Sequence, residues 1–313
     1  MQNAAASAAT VHLLFRSATY MKPSPVAEVR FTSSLDEAIE ILSDEANKLV
    51  PIAGGTWLVR GEQRKDPLAQ GYLALSKVKE MHGIQITANE ISIGAMTTHE
   101  QLSKALEDDC GFQGLGKAAT KSANPGVRRL ATVGGNICAK DFLSPDLVPA
   151  LIAAAATVQV ASSKGRNEVS IAEFLEQPLD GICRELLVRV LVKRTLARSA
   201  HARLTMRSAG DYPTSIVSVM CETNSDGAIS DIRIAVGAVQ DQTFRWSTLE
   251  KKLLGVKLTE TPIIDVARIC LNGLTGRDAV DGPGAYRVQV LPHLVEEAFA
   301  DLSQQFAGGK SWP

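Results

Sequence analysis

The chain of 313 residues carries 33 Lys plus Arg against 34 Asp plus Glu, a net charge of −1, and is 45% apolar and 21% charged. This is ordinary globular composition at about twice the length of a single domain, so two domains are expected; nucleic acid and anionic membranes are disfavoured as partners because they bind clustered Lys and Arg. Aromatic residues make up only 5% while Gly totals 24, so an aromatic stacking platform is not expected and glycine turns near a ligand become the first place to look.

Residues 1 to 20 are rich in Ala, Ser and Thr, and their first charge is Arg16, so they lack the basic start of a secretion signal. They read as a loose leader spanning residues 1–26. Ser34 and Glu37 have capping-box spacing ahead of Ala38, Ile39, Ile41 and Leu42, predicting a short helix. Leu49 to Ala53 and Gly71 to Leu75 read as strands joined through glycine turns. Ile84 to Thr87 and Ile91 to Gly94 alternate around a three-residue turn and predict a hairpin, followed by a helix that begins at the capping-box pair Thr98 and Gln101.

Helical character from Ala118 breaks at Asn124-Pro125-Gly126. Thr132-Val133-Gly134-Gly135-Asn136 then reads as a second glycine-bearing turn. Asp146 to Ala155 predicts a helix, and Val158 to Ala161 and Leu186 to Val192 predict strands. Beyond the basic stretch Lys193 to Ser199 the character changes, with a domain boundary near 195 to 200, and Ser215 to Cys221 and Ile229 to Val239 read as strands joined across Asn224-Ser225-Asp226-Gly227. Pro262 to Leu274 and Val288 to Phe306 are helical patterns. The run from Leu147 to Ala161 contains Pro149, Thr157 and Gln159 and is shorter than the roughly 20 apolar residues that span a bilayer, so no membrane span is expected.

Five cysteines at Cys110, Cys138, Cys183, Cys221 and Cys270 are widely spaced, with no CxxC pair. The pattern argues for reduced thiols in a cytoplasmic protein and against a disulfide framework, a zinc site or an iron–sulfur cluster held by this chain alone. No metal site is expected.

The two glycine pairs carry the chemistry. Paired Gly lets backbone N–H groups converge on an anion, and flanking Thr and Asn side chains add hydrogen bonds, so two such turns can clamp a pyrophosphate. Neither turn fits the dinucleotide fingerprint GxGxxG or the P-loop GxxxxGK[ST].

Four segments in order resemble one family: Ile52-Ala53-Gly54-Gly55-Thr56; Ile93-Gly94-Ala95-Met96-Thr97-Thr98; Val127-Arg128-Arg129-Leu130-Ala131-Thr132-Val133-Gly134-Gly135-Asn136-Ile137-Cys138; and Met206-Arg207-Ser208-Ala209-Gly210-Asp211. The chain is similar, over roughly residues 27 to 307, to the FAD-binding medium subunits of molybdenum hydroxylases, which include xanthine dehydrogenases and carbon monoxide dehydrogenases. The resemblance implies an α+β chain. An FAD-binding domain of the vanillyl-alcohol-oxidase (PCMH) type would occupy 27–196, in subdomains of about 27–80 and 81–196, and a smaller α+β flavoprotein domain would occupy 197–313.

The resemblance also implies cofactor contacts. Ile52, Ala53, Gly54, Gly55, Thr56, Trp57 and Leu58, together with Thr132, Val133, Gly134, Gly135 and Asn136, would hold the pyrophosphate and ribityl chain of FAD. Asp146 matches the family's acidic contact, with one extra residue in Ser144-Pro145-Asp146. Leu187 matches a leucine that packs on the cofactor, and Arg203 stands where many members have lysine, which replaces a point charge by a planar fork. No cysteine-rich insertion for a further cluster is present. Residue by residue, His99 reads as structural or surface, Cys138 as a small hydrophobe and Asp146 as contact or helix cap. Trp57 reads as packing beside the turn, and Arg128-Arg129 as equally suited to phosphate or solvent.

By resemblance the chain is the electron-transfer subunit of a heterotrimer. A large molybdopterin subunit would hydroxylate an aldehyde or N-heterocycle, and a small subunit with [2Fe–2S] clusters would feed FAD on this chain, which would pass electrons to NAD, oxygen or quinone. No residue here is a catalytic candidate, since the redox chemistry belongs to the cofactor. The alternatives are an assembly subunit with a degraded FAD site and a stand-alone flavin oxidase.

Overall fold

The computed structural model describes residues 28–44, 46–66, 69–177, 185–206, 212–258, 262–280 and 282–308. The expected leader, Cys183 and all but Met206 of the segment 206–211 lie outside the described residues.

The chain opens with a small parallel sheet of β1 (Glu28–Phe31), β2 (Leu49–Ile52) and β3 (Gly71–Ala74), with β3 in the centre. Glu28 and Leu49 both pair with Gly71, so the two outer strands share one register. Pro51, which cannot donate to a ladder, is tolerated because β2 is an edge. Helix α1 (Leu35–Ser43) packs Leu35, Ala38, Ile41 and Leu42 into the core. Ser34 accepts from the Glu37 N–H at 3.4 Å, while the Glu37 carboxylate takes the Thr32 hydroxyl at 2.6 Å, so only half of the anticipated capping box forms. Beyond β2 come a 3-10 turn at Leu58–Arg60 and the one-turn helix α2 (Gly61–Arg64).

The second sheet is antiparallel, in the order β4 (Ile84–Ile86), β5 (Glu90–Gly94), β8 (Glu185–Lys193), β6 (Thr157–Ser162) and β7 (Gly165–Ser170). The predicted hairpin is β4 with β5, paired Ile84 to Ile93 and Ile86 to Ile91. Between β5 and β6 run α3 (His99–Ala105), with a complete Thr98/Gln101 capping box, α4 (Gln113–Lys121), α5 (Pro125–Arg128), α6 (Val133–Cys138) and α7 (Leu147–Ala153). Helix α8 (Ile171–Glu176) follows β7. Every residue of α7 is buried, which explains its unbroken apolar sequence.

A third, antiparallel sheet follows: β9 (Arg198–Thr205), β10 (Pro213–Thr223), β11 (Ile229–Gly237) and β12 (Phe244–Arg245), ordered β12–β11–β10–β9. Strand β9 lies at the stretch read from sequence as a boundary; its polar residues Arg198, Ser199 and His201 are buried, so its composition hides its place in a sheet. On one face pack α9 (Ser247–Leu253), α10 (Ile263–Ile269) and α12 (Leu291–Ala307), preceded by α11 (Gly284–Gln289). The stripe Leu291, Leu294, Val295, Ala298, Phe299 and Leu302 on α12 is fully or nearly buried, as its helical spacing requires. On the other face, α4 and α7 from the preceding part of the chain press on β9, β10 and β11. A Cβ on Gly114 would lie 2.8 Å from the Ala200 backbone, so α4 lies almost on the strand itself. Two apolar cores result, one reaching from Leu35 to Ala197 with Met220 and Ala235, the other running from Ala200 to Leu302.

Candidate cofactor cleft

Strand β2 delivers its last residue, Ile52, into the loop Ala53 to Trp57. Gly55 turns that loop with φ of +68°, a conformation that favours glycine. The N–H groups of Gly54, Gly55 and Thr56 donate to no other group among the described residues. Three consecutive uncommitted amides form a concave anion site of the kind expected from the sequence. Gly54 has a further task, because a Cβ there would lie 1.8 Å from the Leu130 carbonyl oxygen and 3.2 Å from Ala131 Cα. The loop therefore lies flat on the backbone that leads into the second motif, and this contact joins two segments far apart in sequence.

The second motif differs from expectation. Thr132 to Asn136 is not a turn: Thr132 caps α6, and Gly134 and Gly135 sit in its first helical turn. Its amides are already engaged, Val133 with the Thr97 carbonyl at 2.9 Å, Gly134 with the Ala95 carbonyl at 2.8 Å, Gly135 with Thr132 Oγ1 at 3.1 Å and Asn136 with the Thr132 carbonyl at 2.9 Å. The physical reason is that this segment docks edge-on against the chain leaving β5. Gly134 is needed there because a Cβ would come within 2.9 Å of Ala95 Cβ. Asn136 Oδ1 accepts from the Leu147 N–H at 3.2 Å, leaving its NH₂ without a partner among the described residues. The anion site is thus offered by one glycine loop and braced by the other.

These elements border a cleft of about 850 Å³. Of the residues expected to hold FAD, Ala53, Gly54, Gly55, Thr56, Trp57, Leu58, Thr132, Gly134, Gly135, Asn136 and Leu187 line it. Ile52, Val133, Asp146 and Arg203 are not among the lining residues. Ile52 closes the ladder by accepting from the Leu75 N–H, Val133 is wholly buried in the core, and Asp146 and Arg203 pair with each other.

Sequence reasoning missed an aromatic wall. Trp57 lies 4.6 Å from Phe142 and 6.3 Å from Tyr212 between ring centroids, and Phe142 lies 5.4 Å from Tyr212. All three line the cleft. Arg64 stacks its guanidinium 3.8 Å above the Trp57 ring and donates to the Trp57 carbonyl, and Arg60 donates to the Tyr212 hydroxyl at 3.1 Å. Trp57 Nε1–H donates to the Lys140 carbonyl at 2.9 Å, tying the first motif to loop 139–146. The rings come from three separate segments, so no local pattern signals the cluster.

Asp146 occupies the N-cap position of α7, but its side chain makes no cap hydrogen bond. Its carboxylate instead sits 2.7 Å from Arg203 Nε, and Arg203 Nη1 donates to the Lys121 carbonyl at 2.6 Å. Burial pushes the Asp146 carboxyl up to about 7, opposed by Arg203. His201, 3.9 Å from Asp146 and 2.9 Å from Ser218 Oγ, is driven down to about 3 by burial and then by Arg203. His99 is among the residues lining the cleft although it is 2% exposed; its Nδ1 lies 2.6 Å from Ser122 Oγ, and burial lowers it to about 4. Arg129 pairs with Glu100 at the surface and Arg128 donates to the Ala123 carbonyl, so both have protein partners. Among the described residues, no group of three or more His, Cys, Asp or Glu could hold a metal ion, and no helix is long and apolar enough to cross a membrane.

The cleft combines uncommitted backbone amides at one loop, apolar sides that include Leu75, Met96 and Leu187, and a wall of aromatic rings. This chemistry fits a long ligand with an anionic centre and flat ring systems, as FAD is.

Comparisons with known proteins agree. The family model described as the FAD binding domain in molybdopterin dehydrogenase matches residues 26–192, and that of the CO dehydrogenase flavoprotein C-terminal domain matches residues 200–302. The chain is 27% identical to the glyceraldehyde dehydrogenase medium chain of Sulfolobus acidocaldarius over 286 residues, covering 90% of this chain and 100% of that one. A chain of quinoline 2-oxidoreductase from Pseudomonas putida 86 superposes with a TM-score of 0.78 at 26% identity, covering 90% of this chain and 98% of its own. A chain of carbon monoxide dehydrogenase from Hydrogenophaga pseudoflava shares the fold with a TM-score of 0.81 at 23% identity, over 90% and 98% of the two chains.

Proposed function

We infer the function of this chain from its membership: it belongs to the family of FAD-binding domains of molybdopterin dehydrogenases, as the medium, FAD-binding subunit of a molybdenum hydroxylase-type complex. The observation that supports a working site best is the packing of Gly54 on Leu130, which sets the uncommitted amides of Gly54, Gly55 and Thr56 beside the second motif. In this reading those amides, with Thr132 and Asn136, hold the pyrophosphate and ribityl chain, and Leu187 packs on the cofactor. Ile52, Val133, Asp146 and Arg203 act by holding the elements that do so. FAD, when bound, supplies two-electron redox chemistry, and the chain supplies binding, orientation and electrostatics.

We place the domain division between residues 196 and 197, close to where the first apolar core ends at Ala197 and the second begins at Ala200. The finer reading is that [2Fe–2S] clusters on a small subunit feed this FAD, which discharges to NAD, oxygen or quinone in the cytoplasm. A large molybdopterin subunit hydroxylates an aldehyde or N-heterocycle. The similar proteins named for glyceraldehyde and for quinoline support those two substrate classes. Purifying the chain with its partners and releasing its flavin tests the reading. One FAD per chain is expected. A folded complex without releasable FAD would make this an assembly subunit, and full turnover by the isolated chain would make it a stand-alone oxidase.

A further inference from the structure

We propose that Arg277, in the part of the chain built on the third sheet, is a positioning residue for the FAD cleft, acting on loop 139–146 through Ser144. The inference rests on the reading of the cleft as the FAD site.

Loop 139–146 joins α6 to α7 and contributes Lys140, Asp141 and Phe142 to the cleft wall. Its cleft end is fastened to the first glycine motif, where the Lys140 carbonyl accepts from Trp57 Nε1–H. Its other end runs away from the cleft, and there the buried Ser144 hydroxyl accepts from Arg277 Nη2 at 3.2 Å. A hydrogen bond from a half-buried guanidinium to a buried hydroxyl is charge-assisted and partly shielded from water, so it holds position better than a neutral surface contact.

Arg277 can serve as an anchor because its own backbone is fixed. Its N–H donates to the Val239 carbonyl at 2.7 Å, and its carbonyl accepts from Nε of Arg287 at 3.1 Å. Arg287 is completely buried and clamps the Thr214 and Ala238 carbonyls at 2.7 and 3.0 Å, which locks the segment to the strands of the third sheet. Gly276 lies so close to Gly284 that a Cβ would sit 2.3 Å from the Gly284 carbonyl oxygen. Neither Arg277 nor Arg287 lines the cleft. The chain of contacts from the third sheet through Arg277, Ser144, Lys140 and Trp57 therefore sets the distance between the aromatic wall and the anion loop.

The test uses the purified complex stripped of flavin and titrated with FAD, following flavin fluorescence for the Kd and the visible absorption bands for the ring environment. Arg277→Gln and Ser144→Ala are each expected to weaken FAD binding about tenfold and to shift the bands. The double variant should be no worse than Arg277→Gln alone, since the Ser144 contact is already lost in it, and Arg277→Lys should recover part of the loss. A wild-type Kd and spectrum in Arg277→Gln, or a double variant showing the product of the two single losses, would overturn the proposal. If Arg277→Gln does not assemble, Ser144→Ala decides alone, because it deletes only a hydroxyl. A wild-type complex that takes up no FAD overturns the functional reading and this inference with it, whereas wild-type uptake with unaffected variants overturns this inference only.

Discussion

Substituting Gly54 by Ala tests the contact on which the cleft depends. The added Cβ would stand 1.8 Å from the Leu130 oxygen and 2.7 Å from its carbonyl carbon, where real contacts stay beyond about 3.0 Å. Both partners are backbone, so no side chain can swing aside. The loop and segment 130–132 must separate by more than about 1 Å, a misfit of the size that costs roughly 1–3 kcal/mol in a packed interior. The amides of Gly54, Gly55 and Thr56 move with the loop. Misaligning one or two charge-assisted hydrogen bonds to a pyrophosphate is worth about 2–3 kcal/mol, or roughly 30- to 150-fold in Kd. The assay is FAD titration of the stripped complex by fluorescence, with urea unfolding in parallel. Gly227→Ala is the control: its φ of +81° makes any side chain strained, yet it lies in the β10–β11 turn and does not line the cleft. It should lose stability and keep FAD affinity. A folded Gly54→Ala complex with a Kd within twofold of wild type would refute the reasoning.

Three further outcomes follow from the same geometry. His99 is neutral in the folded chain down to about pH 4, while an unfolded histidine protonates near 6.5; the unfolded state thus binds the extra proton between these values, and stability is lost as pH falls through that window. His99→Gln should therefore flatten the acid limb of urea-measured stability by one proton, about 1.4 kcal/mol per pH unit, and an unchanged slope would contradict the assignment. Arg203→Ala removes the group that opposes the upward shift of the buried Asp146 carboxyl, so Asp146 stays protonated near neutral pH and the variant should lose stability as pH rises above 7, with much of that loss recovered in the double variant with Asp146→Asn; strict additivity would show that the pair does not interact. Trp57 lines the cleft, so FAD uptake should quench part of the tryptophan emission, and Trp57→Phe should abolish that part; an equal quench in the variant would place the cofactor elsewhere.

Features with a local cause were legible in the sequence. The Thr98/Gln101 capping box, the hairpin of β4 and β5, and the apolar stripe of α12 each follow from side-chain periodicity or from hydrogen bonds a few residues long. The two glycine motifs were visible, and so was their connection to FAD, because the family resemblance is carried by contiguous residues. Strand β9 was not legible: Arg198 and Ser199 fall in a basic stretch read as a domain boundary, and only their burial with His201 between α4, α12 and β10 makes them strand.

The sequence by itself marked two glycine pairs as able to bring backbone amides to an anion, without distinguishing between them. Tertiary structure alone decided that the second glycine pair is the start of a helix with its amides engaged, that Trp57, Phe142 and Tyr212 meet, and that Asp146 faces Arg203 and not the amides of α7. Those relations join residues many positions apart. Their energy comes from the close approach of backbones and the burial of charge, which leave no period in the sequence and exist only once the sheets and helices have packed.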